Sequence, residues 1–225
     1  MVEKPMFVDL NLKEENISAF RRGTVISIKH PMVFEPILSV VQKVEGSNIF
    51  FRLPEDFLKN NILKGDDITC HALLRDYELM VEGMISDIDL IYPRLVQVCI
   101  NKIQKFKNNR KTKRYFVCFQ ANAHLPGTDK KVYAIIKNIS SGGVSAVFKE
   151  YVAENITVKI SVSASISRNE FLEFKAKITR VIPRGSYNEY GMEFIEIDEH
   201  NQNLLDKLLF KLKEDESRFV LECMK

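Results

Sequence analysis

Residues 115–143 read YFVCFQANAHLPGTDKKVYAIIKNISSGG. Val117, Phe119, Ala121 and Ala123 fall on one face of a strand by period-2 alternation. His124-Leu-Pro126-Gly127-Thr-Asp129 then gathers the residue types that turns require. Lys131–Lys137 makes a return strand of similar length. At a rise of roughly 3.3–3.4 Å per residue, two matched arms bring Asn138 back beside Arg114. Asn138-Ile-Ser140-Ser-Gly142-Gly143 closes the stretch as a second turn between strands.

Further rows follow the same period. Val158, Ile160, Val162, Ala164 and Ile166 form one, Leu172, Phe174, Ala176 and Ile178 another, and Met192 and Phe194 lie within a third. After Asp198 the period becomes helical, with Leu204, Leu205, Leu208, Leu209 and Leu212 on one stripe. The second half therefore predicts about six antiparallel strands closed by one amphipathic helix. In the first half, Gly23–His30, Ile37–Val44, Ser47–Leu53, Ile68–Leu74, Tyr77–Ile88 and Leu95–Ile100 read as strands of a small barrel or sandwich. Pro54-Glu55-Asp56-Phe57 suits the opening of a short helix, and Lys64-Gly65-Asp66-Asp67 a turn.

The chain has 225 residues, enough for two small domains. Thirty-three basic against 30 acidic residues leave a net charge of +3, too balanced for a coat on nucleic acid or an anionic membrane. The charge is unevenly spread. Asn101–Arg114 holds seven basic residues, no acid, and only Ile103 and Phe106 as large apolar groups. Such a block repels itself, so a solvated, mobile linker is expected there. The domain boundary is placed near Lys105, with one β domain over 1–104 and a second over 105–225.

No apolar run approaches the length of a membrane helix, and Met1–Asp9 lacks the pattern of a secretory signal. Cys70, Cys99, Cys118 and Cys223 form no CxxC pair and read as free, buried thiols of a cytoplasmic protein. His30, His71, His124 and His200 are scattered, so no metal site is expected. There is no GxSxG elbow, no phosphate loop and no GxGxxG, and hence no support for an enzyme or a cofactor. Asp198-Glu199-His200 reads as a helix cap rather than a catalytic dyad.

What remains is a pair of short motifs that the hairpin joins. Arg110-Lys-Thr-Lys-Arg114 is RxxxR, and Asn138–Gly143 is NxSxxG. An arginine fork bonds bidentately to phosphate or to the O6 and N7 of guanine. Asn138 and Ser140 offer polar groups to a base edge or phosphate, and Gly142 and Gly143 permit close backbone approach. A guanine-containing phosphorylated nucleotide fits this set.

RxxxR followed one hairpin later by [DN]xSxxG resembles the signature of PilZ domains, which bind the bacterial second messenger cyclic di-GMP. Lys175–Val181, Tyr190-Gly191-Met192-Glu193-Phe194 and the leucine-striped helix are similar to that family's late strands and terminal helix. Lys64-Gly65-Asp66, Tyr77–Gly83 and Tyr92-Pro93-Arg94 resemble the N-terminal domain of YcgR-type flagellar brakes. The resemblance implies a mainly β protein of two β-barrel-like domains. The first is split-barrel-like, and the second is a six-stranded antiparallel PilZ barrel with a C-terminal amphipathic helix.

It also implies that Arg110, Arg114, Asn138, Ser140 and Gly143 bind cyclic di-GMP, with Asn109, Lys111 and Gly142 as additional contacts. Binding would be transmitted as an interdomain change that controls flagellar motility. The implied protein partners are flagellar motor components at the basal body; nucleic acid and membrane insertion are not implied. Asn109 stands where the family often has a second basic residue, Lys-Thr-Lys replaces a spacer that often holds an aromatic, and Asn138 replaces Asp. Whether one or two ligand molecules bind stays open. So do a PilZ scaffold acting only as an interaction module, regulation of polysaccharide synthesis or secretion, and an enzyme in the N-terminal half. A nucleic-acid-binding barrel is also open, using Lys102–Arg114 with Phe106, Tyr115 and Phe116.

Overall fold

The computed structural model describes residues 8–10, 20–33, 36–74, 77–107, 112–127, 130–164 and 171–225. They fall into two compact units: Met1–Arg110 with Ser217–Lys225, and Lys111–Glu216. No helix among the described residues is long and apolar enough to cross a membrane.

The first unit holds strands β1 (Val8–Leu10), β2 (Val25–Lys29), β3 (Ile37–Glu45), β4 (Asn48–Arg52), β5 (Asp67–Leu73), β6 (Tyr77–Asp89) and β7 (Leu95–Lys107). A short helix α1 (Glu55–Lys59) follows Pro54, with Glu55 and Asp56 in its first turn. The strands run in the order β7-β4-β3-β2-β5-β6, and antiparallel pairing of β6 with β7 closes the ring. Strand β1 adds to the flank of β7. Alternation drives the burial: β5 turns Ile68, Cys70 and Ala72 inward and leaves the residues between them partly accessible. Phe57 of α1 is buried and meets Phe51 edge-to-face at 6.1 Å between ring centroids.

Strand β7 corrects one expectation. The basic stretch expected to be a solvated linker from Asn101 is a strand as far as Lys107, paired with β6 from Tyr77↔Lys107 onward. Ile103 is fully buried, and the Lys105 ammonium lies over the Tyr77 ring at 4.1 Å. Lysines repel one another little when a strand spreads them along a wet face, while one inward isoleucine holds the segment to the core. Residues 108–111, the middle of the expected linker, lie outside the described residues.

The second unit is a closed antiparallel barrel. Its strands are β8 (Tyr115–His124), β9 (Lys131–Ser140), β10 (Gly143–Phe148), β11 (Thr157–Ser163), β12 (Leu172–Pro183) and β13 (Asn188–Glu196), in the ring order β10-β13-β12-β11-β8-β9. The rows read from the sequence point inward: Val117, Ala121 and Ala123, then Val158, Ile160 and Val162, then Leu172, Phe174, Ala176 and Ile178. Tyr190 is fully buried and stacks on Phe148 with centroids 4.0 Å apart. Its hydroxyl donates to the Glu150 carbonyl at 2.5 Å and accepts from the Val152 amide at 3.1 Å, which makes a phenol tolerable in the core.

Helix α2 (Glu199–Met224) begins with the expected cap. The Asp198 carboxylate accepts from the Asn201 backbone amide and side chain, each at 2.8 Å, and these bonds hold its pKa below the usual aspartate range. Leu204, Leu205 and Leu208 are buried against the barrel. The helix continues past the leucine stripe, and its residues from Ser217 group with the first unit, where the Gln42 amide donates to the Cys223 carbonyl at 2.9 Å.

All four cysteines are free, but burial holds only for Cys70; Cys118 is exposed, and Cys99 and Cys223 are intermediate. Cys118 sits between inward Val117 and Phe119, so the alternation of β8 itself turns it outward.

Candidate functional site

The β8–β9 hairpin turns at Gly127, whose φ of +73° suits a residue without a Cβ. Its register then carries Asn138 opposite Phe116 and Ile139 opposite Tyr115. The Arg114 Nη1 donates to the Asn138 Oδ1 at 3.3 Å. The arginine is half-buried, and its Nε is enclosed with no partner among the described residues. Burial, with the nearby charge of Arg180 adding to it, lowers the basicity of this guanidinium below the ordinary arginine value. It stays protonated at any physiological pH, so a half-buried cation, one of whose donors has no partner among the described residues, lies at this end of the barrel.

The Asn138–Gly143 loop is braced from within. Ser140 is buried; its hydroxyl donates to the Gly143 carbonyl at 3.2 Å and accepts from the Gly142 amide at 3.3 Å. It therefore fixes the loop's shape, with one lone pair left for any ligand. Neither Gly142 nor Gly143 has a positive φ, so the freedom expected of them is not what the fold uses. Gly143 is needed for space: a Cβ there would lie 2.1 Å from the Met192 carbonyl oxygen of β13. At Gly142 the nearest group to such a Cβ would be the Thr112 hydroxyl, at 4.0 Å.

Of the residues singled out from the sequence, Arg114, Asn138, Ser140, Gly142 and Gly143 thus lie together at one end of the β8–β9–β10 sheet. Arg110, Asn109 and Lys111 lie outside the described residues. The structure adds members that the sequence reading did not place. Asn138 pairs with Ser145 on β10, Ser145 with Gly191 on β13, and Gly191 with Arg180 on β12. Beside this row, Glu189 contacts Lys137 at 3.5 Å and Arg184 at 3.6 Å. Burial alone would push the Glu189 carboxyl up, but Lys137, Arg184 and Arg180 together hold it below the usual glutamate range. Arg180 and Gly191 fall within the late-strand motifs already noted, yet nothing local in those motifs says which strand lies beside them.

The set can hold a polyanion through arginine and lysine donors. Among the described residues no cluster of three His, Cys, Asp or Glu side chains could hold a metal ion. The expected nucleic-acid stripe is divided. Lys102, Lys105 and Lys107 are on β7 of the first unit, while Lys113 of the second pairs with Glu216 and lies 4.9 Å from the Tyr115 ring centroid.

Compared with known families, residues 108–211 match PilZ, the PilZ domain. This segment is a PilZ domain. The match begins just before the RxxxR motif and ends within the leucine stripe of α2. A search of the curated proteins finds no significant match. Among solved structures, the K. pneumonia MrkH–c-di-GMP complex is 15% identical, with 95% of this chain and 99% of that one covered and a TM-score of 0.49. YcgR from Escherichia coli, in complex with c-di-GMP, is 12% identical over 91% of this chain and 88% of that one, with a TM-score of 0.46. The Bacillus subtilis inhibitor of motility MotI/DgrA is 13% identical over 87% and 97%, with a TM-score of 0.41.

Proposed function

We propose that this protein is a non-catalytic cyclic di-GMP receptor whose PilZ barrel holds the ligand through Arg110, Arg114, Asn138, Ser140 and Gly143. The carrying observation is the Arg114–Asn138 contact, with the arginine Nε enclosed and unpartnered beside it. An unsatisfied guanidinium donor next to an amide is suited to a phosphate and a base edge presented together. Asn138 already turns one Arg114 donor toward the loop, so part of the ordering that binding demands is met before the ligand arrives.

Calorimetry with cyclic di-GMP tests this reading. Micromolar or tighter binding is expected for the unaltered chain and loss of it in Arg114→Ala and in Arg110→Ala. Unchanged affinity in both variants would sink the site assignment.

In this reading the ligand also changes the disposition of the two units, because Arg110 and Arg114 flank the point where the chain passes from one to the other. Small-angle scattering with and without ligand reads that change directly. The proposed output is control of flagellar motility from the cytoplasm, through motor components at the basal body. The YcgR-type features of the N-terminal half support it, and swimming assays with co-purification of motor proteins test it. Regulation of polysaccharide synthesis is the alternative output. A ligand-independent PilZ interaction module is the second reading, favoured by Ser140 spending its hydroxyl on its own turn.

A further inference from the structure

The outer face of β10 holds an anomaly. Val144, Ala146 and Phe148 point into the barrel core, so Ser145 lies on the opposite face, yet it is only 2% exposed. Its hydroxyl has no hydrogen-bond partner among the described residues. A buried polar group left unpaired costs free energy, and a folded protein retains one where something absent satisfies it. The pairing row through Ser145 shows where such a partner would sit: Asn138 on one side, Gly191 and then Arg180 on the other. Strands lie about 4.8 Å apart, so the row from Asn138 to Arg180 spans about 14 Å.

The charges along this row are unbalanced. Arg114, Lys137, Arg180 and Arg184 act on one another or on the carboxylate of Glu189, and Glu193, two residues beyond Gly191 on β13, is a second acid beside the row. Lys137 and Arg184 contact the Glu189 carboxylate within 4 Å, whereas Arg180 makes no such pair among the described residues. Between Arg180 and Ser145 stands Gly191, which presents no side chain; a Cβ there would meet the Arg180 Cβ at 3.5 Å, the Thr179 hydroxyl at 3.6 Å and the Arg180 Nε at 3.8 Å, so the Arg180 side chain lies along it. Two arginine forks, Arg114 and Arg180, therefore stand with a buried hydroxyl and a bare backbone segment between them.

We propose that Ser145 and Arg180 extend the ligand site across β10, β13 and β12. Arg180 grips the second phosphate of the cyclic dinucleotide, and the Ser145 hydroxyl meets a guanine edge lying over Gly191. This rests on the reading of the protein as a cyclic di-GMP receptor. It adds the residues that take the half of the ligand not held by Arg114 and Asn138. A ligand with two phosphates needs two cationic grips, and the sequence motifs supply only one cluster of them.

The test is calorimetry with cyclic di-GMP on the full chain, with thermal denaturation of each ligand-free variant. Ser145→Ala is expected to bind about tenfold more weakly while its ligand-free form melts no lower than the parent, because the lost hydroxyl had no partner to lose. Arg180→Ala is expected to lose about tenfold to a hundredfold, and Arg180→Lys less, since lysine keeps the charge but not the fork. Gly191→Ala places a methyl on the floor of the row at ordinary contact distance, 3.5 Å from the Arg180 Cβ, so it folds and binds more weakly. Parental affinity in Ser145→Ala or Arg180→Ala, alongside lost binding in Arg114→Ala, overturns the extension and leaves the receptor reading intact. No binding by the unaltered chain overturns both.

Discussion

Arg114 and Asn138, 24 positions apart in the chain, meet at 3.3 Å because the β8–β9 hairpin returns and a bulge between Phe116 and Phe119 shifts its register by one residue at this end. The contact uses one arm of the guanidinium and leaves the Nε enclosed, with no partner among the described residues. A buried donor left in this way is costly. The contact also orients the fork, since the amide oxygen fixes one nitrogen and the plane follows.

Removing the amide tests that orientation. Asn138→Ala is expected to weaken cyclic di-GMP binding by about tenfold to a hundredfold, equivalent to roughly 1–3 kcal/mol, in titration calorimetry. Asn138→Asp restores an acceptor for Arg114 and should recover most of the loss. If both variants bind as tightly as the parent, the contact is incidental.

The two glycines of the loop separate packing from ligand contact. Gly143→Ala drives a methyl into the Met192 carbonyl, 2.1 Å away, and should cost about 2–3 kcal/mol of stability in chemical denaturation. Gly142→Ala meets only the Thr112 hydroxyl at 4.0 Å and should stay within about 0.5 kcal/mol of the parent. Equal effects of the two substitutions would contradict the close approach of β10 to β13.

Acid should loosen the barrel through Glu189. Burial opposes its charge, but Lys137, Arg184 and Arg180 win and hold its folded pKa below that of the unfolded chain. Its contribution is therefore complete above the unfolded value of about 4.3 and disappears as pH falls through the lower folded value. Urea denaturation between pH 6 and pH 3, as a design range of about three units, should show a shallower acid loss for Glu189→Gln than for the parent. An identical profile would remove Glu189 from the acid response.

Thiol labelling reports burial directly. Burial pushes the Cys70 thiol up to about 12, so it should resist a disulfide-exchange reagent at neutral pH until the barrel opens. Cys118, exposed on β8, should react first in the native protein. Rapid native labelling of Cys70 would place it elsewhere than in the first core.

Much of the fold was legible because its signals are local. Period-2 rows mark β8, β11 and β12, proline and two acids mark α1, and the Asp198 carboxylate caps α2 as its position before the leucines implies. Strand β10 was not legible as a row: all six of its residues are buried, so it shows no alternation. The extent of β7 was hidden by its lysines, whose charge resembles a linker until pairing with β6 is known.

The candidate site divides along the same line. The sequence alone determined the hairpin that returns Asn138 to the end of the sheet where Arg114 lies, while a bulge between Phe116 and Phe119, which no local pattern announced, sets the final register there. Only the tertiary structure decided that Ser145, Gly191 and Arg180 continue the row. Closing the barrel pairs β10 with β13, strands distant in sequence, and an irregularity between Ile178 and Arg180 shifts the register on β12. A shift of one residue exchanges the two faces of a strand, so no local pattern could say which side Arg180 would occupy.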